Sequence, residues 1–137
     1  RISSAASVGF KRQVLDFDRP IALSLVALLH FVSDEDGAHD LVRRLLDALP
    51  SGSHLVMTHA TADFTPEQSR AATEQLRAAG VTLALRSREE FTRFFTGLDL
   101  VDPGVQVPHL WHPELGDPVA GQEDGVIPGY GAVARKP

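Results

Sequence analysis

Two histidines follow apolar stretches of the sequence, a position where ligands commonly bind in open α/β sheets. His30 comes after residues 21–29 (IALSLVALL), and His59 closes residues 54–59 (HLVMTH). A histidine with its ordinary pKa of about 6.5 can take or give a proton at neutral pH, and a well-placed one contributes roughly 10²–10⁴-fold to proton transfer. His30 is therefore a candidate acid–base group, and His59 is a weaker candidate that could contact a substrate. The competing interpretation, which position alone favours, is that each histidine only ends a strand and bonds to backbone groups.

Two further stretches carry residue types that bind metals, but each has a simpler explanation. Residues 34–36 (DED) offer oxygen ligands for a hard cation, although acids at this place also stabilise the start of a helix. Residues 109–114 (HLWHPE) hold two histidines at a helical spacing, and the prolines around them argue against a helix. We expect no metal site, and we expect Trp111 to pack in a loop that could cover a substrate.

Composition predicts one acidic domain. The chain has 137 residues, with 18 acidic against 13 basic residues and a net charge of −5, which argues against a nucleic-acid binder. The apolar stretches are too short to cross a membrane, and the absence of cysteine excludes disulfides and thiolate metal sites. Neither a glycine-rich phosphate loop nor a serine-hydrolase elbow occurs. The sequence opens without a signal peptide's long apolar segment, so we expect a cytoplasmic protein.

The elements that must position the histidines alternate between strands and helices. Residues 21–29 indicate a strand buried on both faces, with a buried helix as the alternative. The apolar spacing of residues 38–49 predicts a helix. Further strands are predicted at residues 54–59, 98–101 and 130–135, with a long loop or hairpin arm at 103–128 and no strong pattern in 1–14. This order favours an α/β sheet with helices on both faces.

Two capping boxes predict the starts of two more helices. Thr65 with Gln68, and Ser87 with Glu90, have the spacing at which side chains satisfy the first backbone N–H groups of a helix. A proline directly after Thr65 suits the first helical position.

Several short stretches together resemble class I S-adenosylmethionine-dependent methyltransferases. More narrowly, they resemble an actinobacterial family of S-adenosyl methyltransferases formerly classed as a domain of unknown function. The stretches are residues 16–20 (DFDRP), 29–34 (LHFVSD), 45–53 (LLDALPSGS), 59–61 (HAT), 86–90 (RSREE), 94–95 (FF), 97–98 (GL), 103–104 (PG) and 130–136 (YGAVARK). The resemblance covers the chain from about residue 15 to its end, and it is specific as a set although each stretch is weak by itself.

The resemblance implies a partial doubly wound (Rossmann-like) methyltransferase sheet, with these strands as the fourth to seventh of the domain and helices flanking them. It implies S-adenosylmethionine as cofactor and a small-molecule methyl acceptor as partner. The loop beside the methionine and sulfonium end of the cofactor would contain Leu28, Leu29, His30 and Phe31. In similar O-methyltransferases a Leu-His-x-x-x-Asp stretch carries the general base, and His30 with Asp34 matches that spacing.

The first strands of that family, with a glycine-rich cofactor loop and an acidic ribose-binding residue, have no counterpart in this sequence, which opens on Arg1. We therefore expect the carboxyl-terminal half of a methyltransferase, with the cofactor-binding half missing from this chain. The alternative is a non-catalytic methyltransferase-like module that forms a homodimer through an exposed sheet edge. A third interpretation, an α/β domain that binds another nucleotide, is weakened by the missing phosphate loop.

Overall fold

The structure is a computed structural model and describes residues 16–116 and 128–137. The described residues form four strands and three α-helices. In chain order they are β1 (Ala22–Leu25), α1 (Ala38–Asp47), β2 (His54–Ala60), α2 (Pro66–Ala78), α3 (Arg88–Thr92), β3 (Asp99–Leu100) and β4 (Gly129–Arg135). This is the order that the sequence predicts. The predictions for residues 1–14 and for part of the loop at 103–128 lie outside the described residues.

The strands form one mixed sheet in the order β1-β2-β4-β3. β1 and β2 are parallel and end at the same edge of the sheet, whereas β4 is antiparallel to β2 and begins at that edge. The register places His59, near the end of β2, opposite Tyr130, near the start of β4. The sheet and its flanking helices confirm the predicted α/β class. This edge is the candidate position for a ligand site, since ligands of such sheets bind beyond the carboxyl ends of parallel strands.

The hydrophobic core lies against one face of the sheet. Buried and half-buried residues alternate along β2, because successive side chains of a strand point to opposite faces. Helix α1 adds the apolar stripe that its spacing predicts, and a phenylalanine cluster follows from α3. The core residues include Leu55, Met57, Ala132 and Ala134 from the sheet, Val42 and Leu46 from α1, and Phe91, Phe94 and Phe95.

Strand β1 is shorter and more exposed than predicted. The prediction of a strand over residues 21–29 that is buried on both faces is wrong, because β1 ends at Leu25 and only that residue of the strand is buried. Ala27 adopts a left-handed conformation (φ 52°), and its N–H donates to Thr58 Oγ1 at 2.9 Å. The chain thereby leaves the sheet and enters a 3-10 turn at Leu29–Phe31.

Helices follow both predicted capping boxes, but only one box forms. Ser87 Oγ accepts from the Glu90 N–H, and Glu90 Oε2 accepts from the Ser87 N–H. The Thr65 side chain makes no capping bond, and its hydroxyl lies 3.4 Å from that of Ser69 instead. Helix α2 still begins at Pro66, since proline suits the first helical position. None of the helices in the described residues has the length and apolar character needed to cross a membrane.

Candidate active site

A cavity of about 390 Å³ opens at the edge of the sheet where β1 and β2 end. Its walls come from the turn after β1, the last residues of β2 and the first residues of β4. The lining residues include Ala27, His30, Thr58, His59, Gly129 and Tyr130. Glycine is needed at 129, because a Cβ there would lie 2.9 Å from the His59 carbonyl oxygen. This close approach lets β4 form one wall of the cavity.

His30 lies in the 3-10 turn and lines the cavity. Its ring packs edge-on against Phe31, with the ring centroids 4.3 Å apart. Its Nδ1 atom is buried and has no hydrogen-bond partner among residues 16–116 and 128–137. Burial, and then the positive charge of Arg86, lower the pKa of His30 below its ordinary value. The imidazole is therefore neutral at pH 7 and can accept a proton.

His59 is in a different state, although its ring centroid is only 5.8 Å from that of His30. The residue is 2% exposed. Because arginine can only donate, the 2.6 Å contact with Arg86 Nη1 makes His59 Nε2 an acceptor, and Nδ1 then donates to the Ala60 carbonyl at 2.7 Å. Burial, with a contribution from the Arg86 charge, lowers the pKa of His59 to about 4. Both ring nitrogens are used within the protein, and the substrate contact expected of His59 stays a prediction.

Arg86 links His59 to the turn that carries His30, and residue spacing did not predict it as a site residue. The residue is 4% exposed, yet every N–H group of its guanidinium has an acceptor. Its five hydrogen bonds go to the carbonyl oxygens of Leu29 (3.1 Å) and Val32 (2.9 Å), to Asp34 Oδ1 from two nitrogens (3.2 and 2.6 Å), and to His59 Nε2. The available signal was an arginine that closes an apolar stretch, VTLAL, directly before a helix cap.

The remaining residues of the predicted cofactor loop differ in exposure. Leu28 is 51% exposed and Phe31 is 49% exposed, whereas Leu29 is fully buried. The Leu29 side chain therefore packs in the core, and Leu28 and Phe31 present apolar surface beside His30.

Trp111 does not line the cavity that contains His30 and His59. It lines an adjoining cavity of about 210 Å³, whose walls include Val56 and Val133, and its Nε1 donates to the Gly104 carbonyl at 3.2 Å. Pro108 borders both cavities. The structure thus brings together the predicted residues around His30 and places Trp111 in a neighbouring cavity, where its predicted substrate contact stays a prediction.

Two of the three acidic residues at 34–36, Asp34 and Asp36, are engaged in other contacts. Asp34 bonds to Arg86, and this bond keeps the pKa of Asp34 below its ordinary value. Asp36 Oδ2 accepts from Ser33 Oγ at 2.6 Å. Within the part of the chain that the structure describes, no group of three or more histidine, aspartate or glutamate residues is arranged to hold a metal.

Tyr130 is a further titratable group on the cavity wall. Its hydroxyl donates to Asp63 Oδ2 at 2.9 Å, and burial together with this carboxylate raises the pKa of Tyr130 to about 12. The phenol therefore stays protonated at neutral pH and is a fixed part of the wall rather than a proton carrier.

A third cavity, of about 440 Å³, lies between α1 and the turn after α3. Its cationic side chains already have partners within the protein. Arg43 pairs with Asp40 and Arg93 with Glu89, while Lys136 donates to two carbonyl groups at the end of α1. The cavity at the sheet edge is the better candidate site, because it is lined by a histidine with a nitrogen that has no partner within residues 16–116 and 128–137.

The chain is similar in sequence and in structure to known proteins of one family. The sequence profile described as S-adenosyl methyltransferase matches residues 4–137. A DUF574 family protein from Streptomyces avermitilis superposes with a TM-score of 0.84 at 43% identity, over 98% of this chain and 51% of that one. A putative methyltransferase from Thermobifida fusca gives 0.76 at 33% identity, over 91% and 46%. None of the curated proteins compared with the chain matches it significantly.

A more distant structure agrees in fold alone. An O-methyltransferase family 2 protein from Planctomyces limnophilus, solved with apigenin, superposes with a TM-score of 0.56 at 18% identity, over 90% of this chain and 33% of that one. The chain spans about half the length of the two more similar structures. Because the family profile matches nearly the whole sequence, the chain belongs to the S-adenosyl methyltransferase family, whose cofactor is S-adenosylmethionine.

Proposed function

We propose that this chain forms the carboxyl-terminal part of a methyltransferase domain and helps transfer a methyl group from S-adenosylmethionine to a small molecule. Family membership supports the reaction class. The position of the cavity, beyond the ends of parallel strands, supports the site. The cofactor's carboxylate and ribose would be bound by residues outside this sequence, since no glycine-rich loop occurs in it.

The residues around His30 fit the reacting end of this cofactor. Leu28 and Phe31 do not line the cavity, but they expose apolar side chains on either side of His30 in the chain, and apolar surface suits a thioether chain. An aromatic ring such as that of Phe31 also attracts a cation, which suits a sulfonium group. We therefore assign Leu28, His30 and Phe31, with the backbone of Leu29, to the cofactor side of the cavity.

In the proposed reaction this chain supplies a proton acceptor and orients the molecule that receives the methyl group. S-adenosylmethionine, when bound, supplies a methyl group on a positively charged sulfur. His30 accepts the proton of the acceptor at Nε2, because Nδ1 is buried. The walls of the cavity hold the acceptor in line and exclude water, and such orientation is the largest contribution that a site of this kind makes.

One observation carries the proposal: His30 is a neutral histidine on a sheet-edge cavity, in a chain of this family, and one of its ring nitrogens has no partner among the described residues. Nothing else in the cavity combines a neutral state with an unused ring nitrogen, as far as the described residues show. His59 and Tyr130 are both committed to partners.

Calorimetric titration of the complete protein with S-adenosylmethionine tests the proposal. We expect saturable binding and a rise in melting temperature at saturating cofactor. ATP serves as the control for general nucleotide binding and is expected to give neither effect. No heat and no thermal shift with S-adenosylmethionine would contradict the proposed function, and a response to ATP alone would favour a domain that binds another nucleotide.

A second candidate function rests on the free side of β1. Within the described residues β1 pairs with β2 alone, and Val26, just after it, is 59% exposed. An open strand edge with apolar neighbours invites pairing. A non-catalytic module would use that edge to form a homodimer, whereas the methyltransferase would use it to join the rest of the domain. A stable dimer in sedimentation experiments, combined with no cofactor binding, would favour the module.

A further inference from the structure

The geometry points to Arg86 as a positioning residue of the proposed methyl-transfer site, whose buried guanidinium holds the turn carrying His30 in place against β2. The inference rests on the proposed function, because it gives Arg86 a part in that same site. Arg86 touches neither cofactor nor acceptor in this arrangement, and it acts through the groups that it holds.

One short segment of chain donates three hydrogen bonds to carbonyl groups of the turn that carries His30. Arg86 donates to the carbonyl groups of Leu29 and Val32, on either side of His30. The Ala84 N–H donates to the His30 carbonyl itself at 2.7 Å. In the part of the chain that the structure describes, this turn pairs with no strand. The contacts from Ala84 and Arg86 therefore hold this turn, together with the burial of the Leu29 side chain in the core.

The other contacts of Arg86 fix the guanidinium itself. His59, on β2, accepts from Nη1, and Asp34 accepts from Nε and Nη2. The guanidinium carbon lies 5.0 Å from the centre of the Phe94 ring. A planar fork of donors can serve all these acceptors at once, whereas the ammonium of a lysine cannot reproduce the same set. Arg86 thus links the sheet, the core and the turn.

The positive charge has a second consequence. A buried guanidinium carries a desolvation penalty that an apolar side chain would avoid, so its presence is better explained by directed bonds and by its field. That field contributes to the lowered pKa of His30. The other titratable groups around His30 are His59 and Tyr130 in the cavity and Asp34 beyond Arg86. With Arg86 in place, the imidazole stays available as a proton acceptor.

Three variants of the complete protein separate positioning from general stability. Arg86→Met removes the charge and the fork, Arg86→Lys keeps the charge alone, and Lys136→Met removes a cation that bonds to backbone carbonyls elsewhere. Hydrogen exchange at the Ala84 amide reports on the turn, and NMR titration reports on the His30 imidazole. Calorimetry with S-adenosylmethionine reports on the site.

We expect the Ala84 amide to exchange about tenfold faster in both Arg86 variants and at the wild-type rate in Lys136→Met. The His30 titration should move to higher pH in Arg86→Met and stay in place in Arg86→Lys. Wild-type exchange and titration in Arg86→Met would overturn the inference, and so would equal changes in Lys136→Met.

Two further outcomes keep the test decisive. If Arg86→Met does not fold, Asp34→Asn replaces it, because the Asp34 side chain is 61% exposed. Loss of that counter-charge should move the His30 titration to lower pH, and an unchanged titration would count against the inference. If the wild-type protein does not bind S-adenosylmethionine, the proposed function fails, while the exchange and titration results still decide the role of Arg86 in holding the turn.

Discussion

His30 and His59 lie side by side at the edge of the sheet, but the protein uses them differently. Burial is the leading cause of the lowered pKa of both rings, so both are neutral at pH 7. The difference lies in their nitrogens. Those of His59 are bonded to the Ala60 carbonyl and to Arg86, whereas Nδ1 of His30 has no partner among the described residues.

This difference separates a structural histidine from a candidate for chemistry. A buried polar group whose bonds are all made inside the protein is part of the framework. A titratable group with a perturbed pKa on a cavity wall is a candidate to meet a ligand, since such groups concentrate at functional sites. Both ring nitrogens of His59 are used within the protein, and we propose that His30 is the histidine that meets the ligand.

The largest expected effect is the loss of methyl transfer when His30 is replaced, which tests the difference between His30 and His59. His30→Ala removes the proton acceptor, so we expect methyl transfer to fall by roughly 10²-fold or more. The affinity for S-adenosylmethionine should stay close to that of the wild type, since the apolar neighbours of His30 remain. Transfer of a radiolabelled methyl group to a panel of phenols, amines and carboxylic acids measures the first, and calorimetry measures the second.

Unchanged turnover in His30→Ala would remove His30 from the role of base. His59→Asn is the matched variant, because it changes the histidine whose nitrogens are already used. We expect His59→Asn to lose activity only to the extent that it unfolds, so its loss should diminish at lower temperature. The loss in His30→Ala should persist at every temperature at which the protein is folded.

The local signals in the sequence predicted the elements well. The spacing of residues 38–49 predicted α1, and the Ser87–Glu90 capping box predicted α3, because both depend on contacts between close neighbours in the chain. The length of β1 could not be predicted in this way. The strand ends where the Ala27 N–H bonds to Thr58, a contact between residues 31 positions apart. The apolar residues at 26–29 do not predict this contact.

The candidate site shows the same limit. Residue type and position selected His30 and ranked His59 below it. They could not show which ring nitrogens are used within the protein, because that depends on where the Arg86 guanidinium lies. Arg86 is 27 positions from His59 and 57 from Leu29 along the chain. Its burial with five hydrogen bonds is a property of the folded chain that residue spacing cannot predict.

A smaller effect concerns the stability that His59 contributes. Its pKa is about 4 in the folded protein and about 6.5 in an unfolded chain. The unfolded state therefore binds more protons between these values, so this contribution is complete above pH 6.5 and is lost as the pH falls toward 4. We expect a loss of roughly 2 kcal/mol in the free energy of unfolding, after allowance for solvent screening.

Urea unfolding at several pH values between 7 and 4.5 measures this loss. His59→Leu should be less stable at every pH, because Arg86 loses an acceptor, but it should lack this part of the pH dependence. If the pH dependence of the free energy of unfolding is the same in His59→Leu as in the wild type, other groups produce it. The contrast between a fully partnered His59 and His30 would then lose its support.

The smallest expected effect adds a third histidine to the comparison. His112 lies at the surface, where Nδ1 contacts Glu114 Oε1 at 2.6 Å and Nε2 contacts the Asp102 carbonyl at 2.8 Å. A neutral imidazole can donate to only one acceptor, so two acceptors favour the protonated form, and the pKa of His112 is raised, chiefly by Glu114.

The contribution of His112 to stability is complete below its pKa in the unfolded chain and is lost as the pH rises through its pKa in the folded protein. NMR titration should place His112 above and His59 below their ordinary pKa, and Glu114→Gln should lower only the former. If His112 titrates unchanged in Glu114→Gln, the partners of a ring do not determine its pKa here, and the assignment of His30 from its missing partner loses its physical basis.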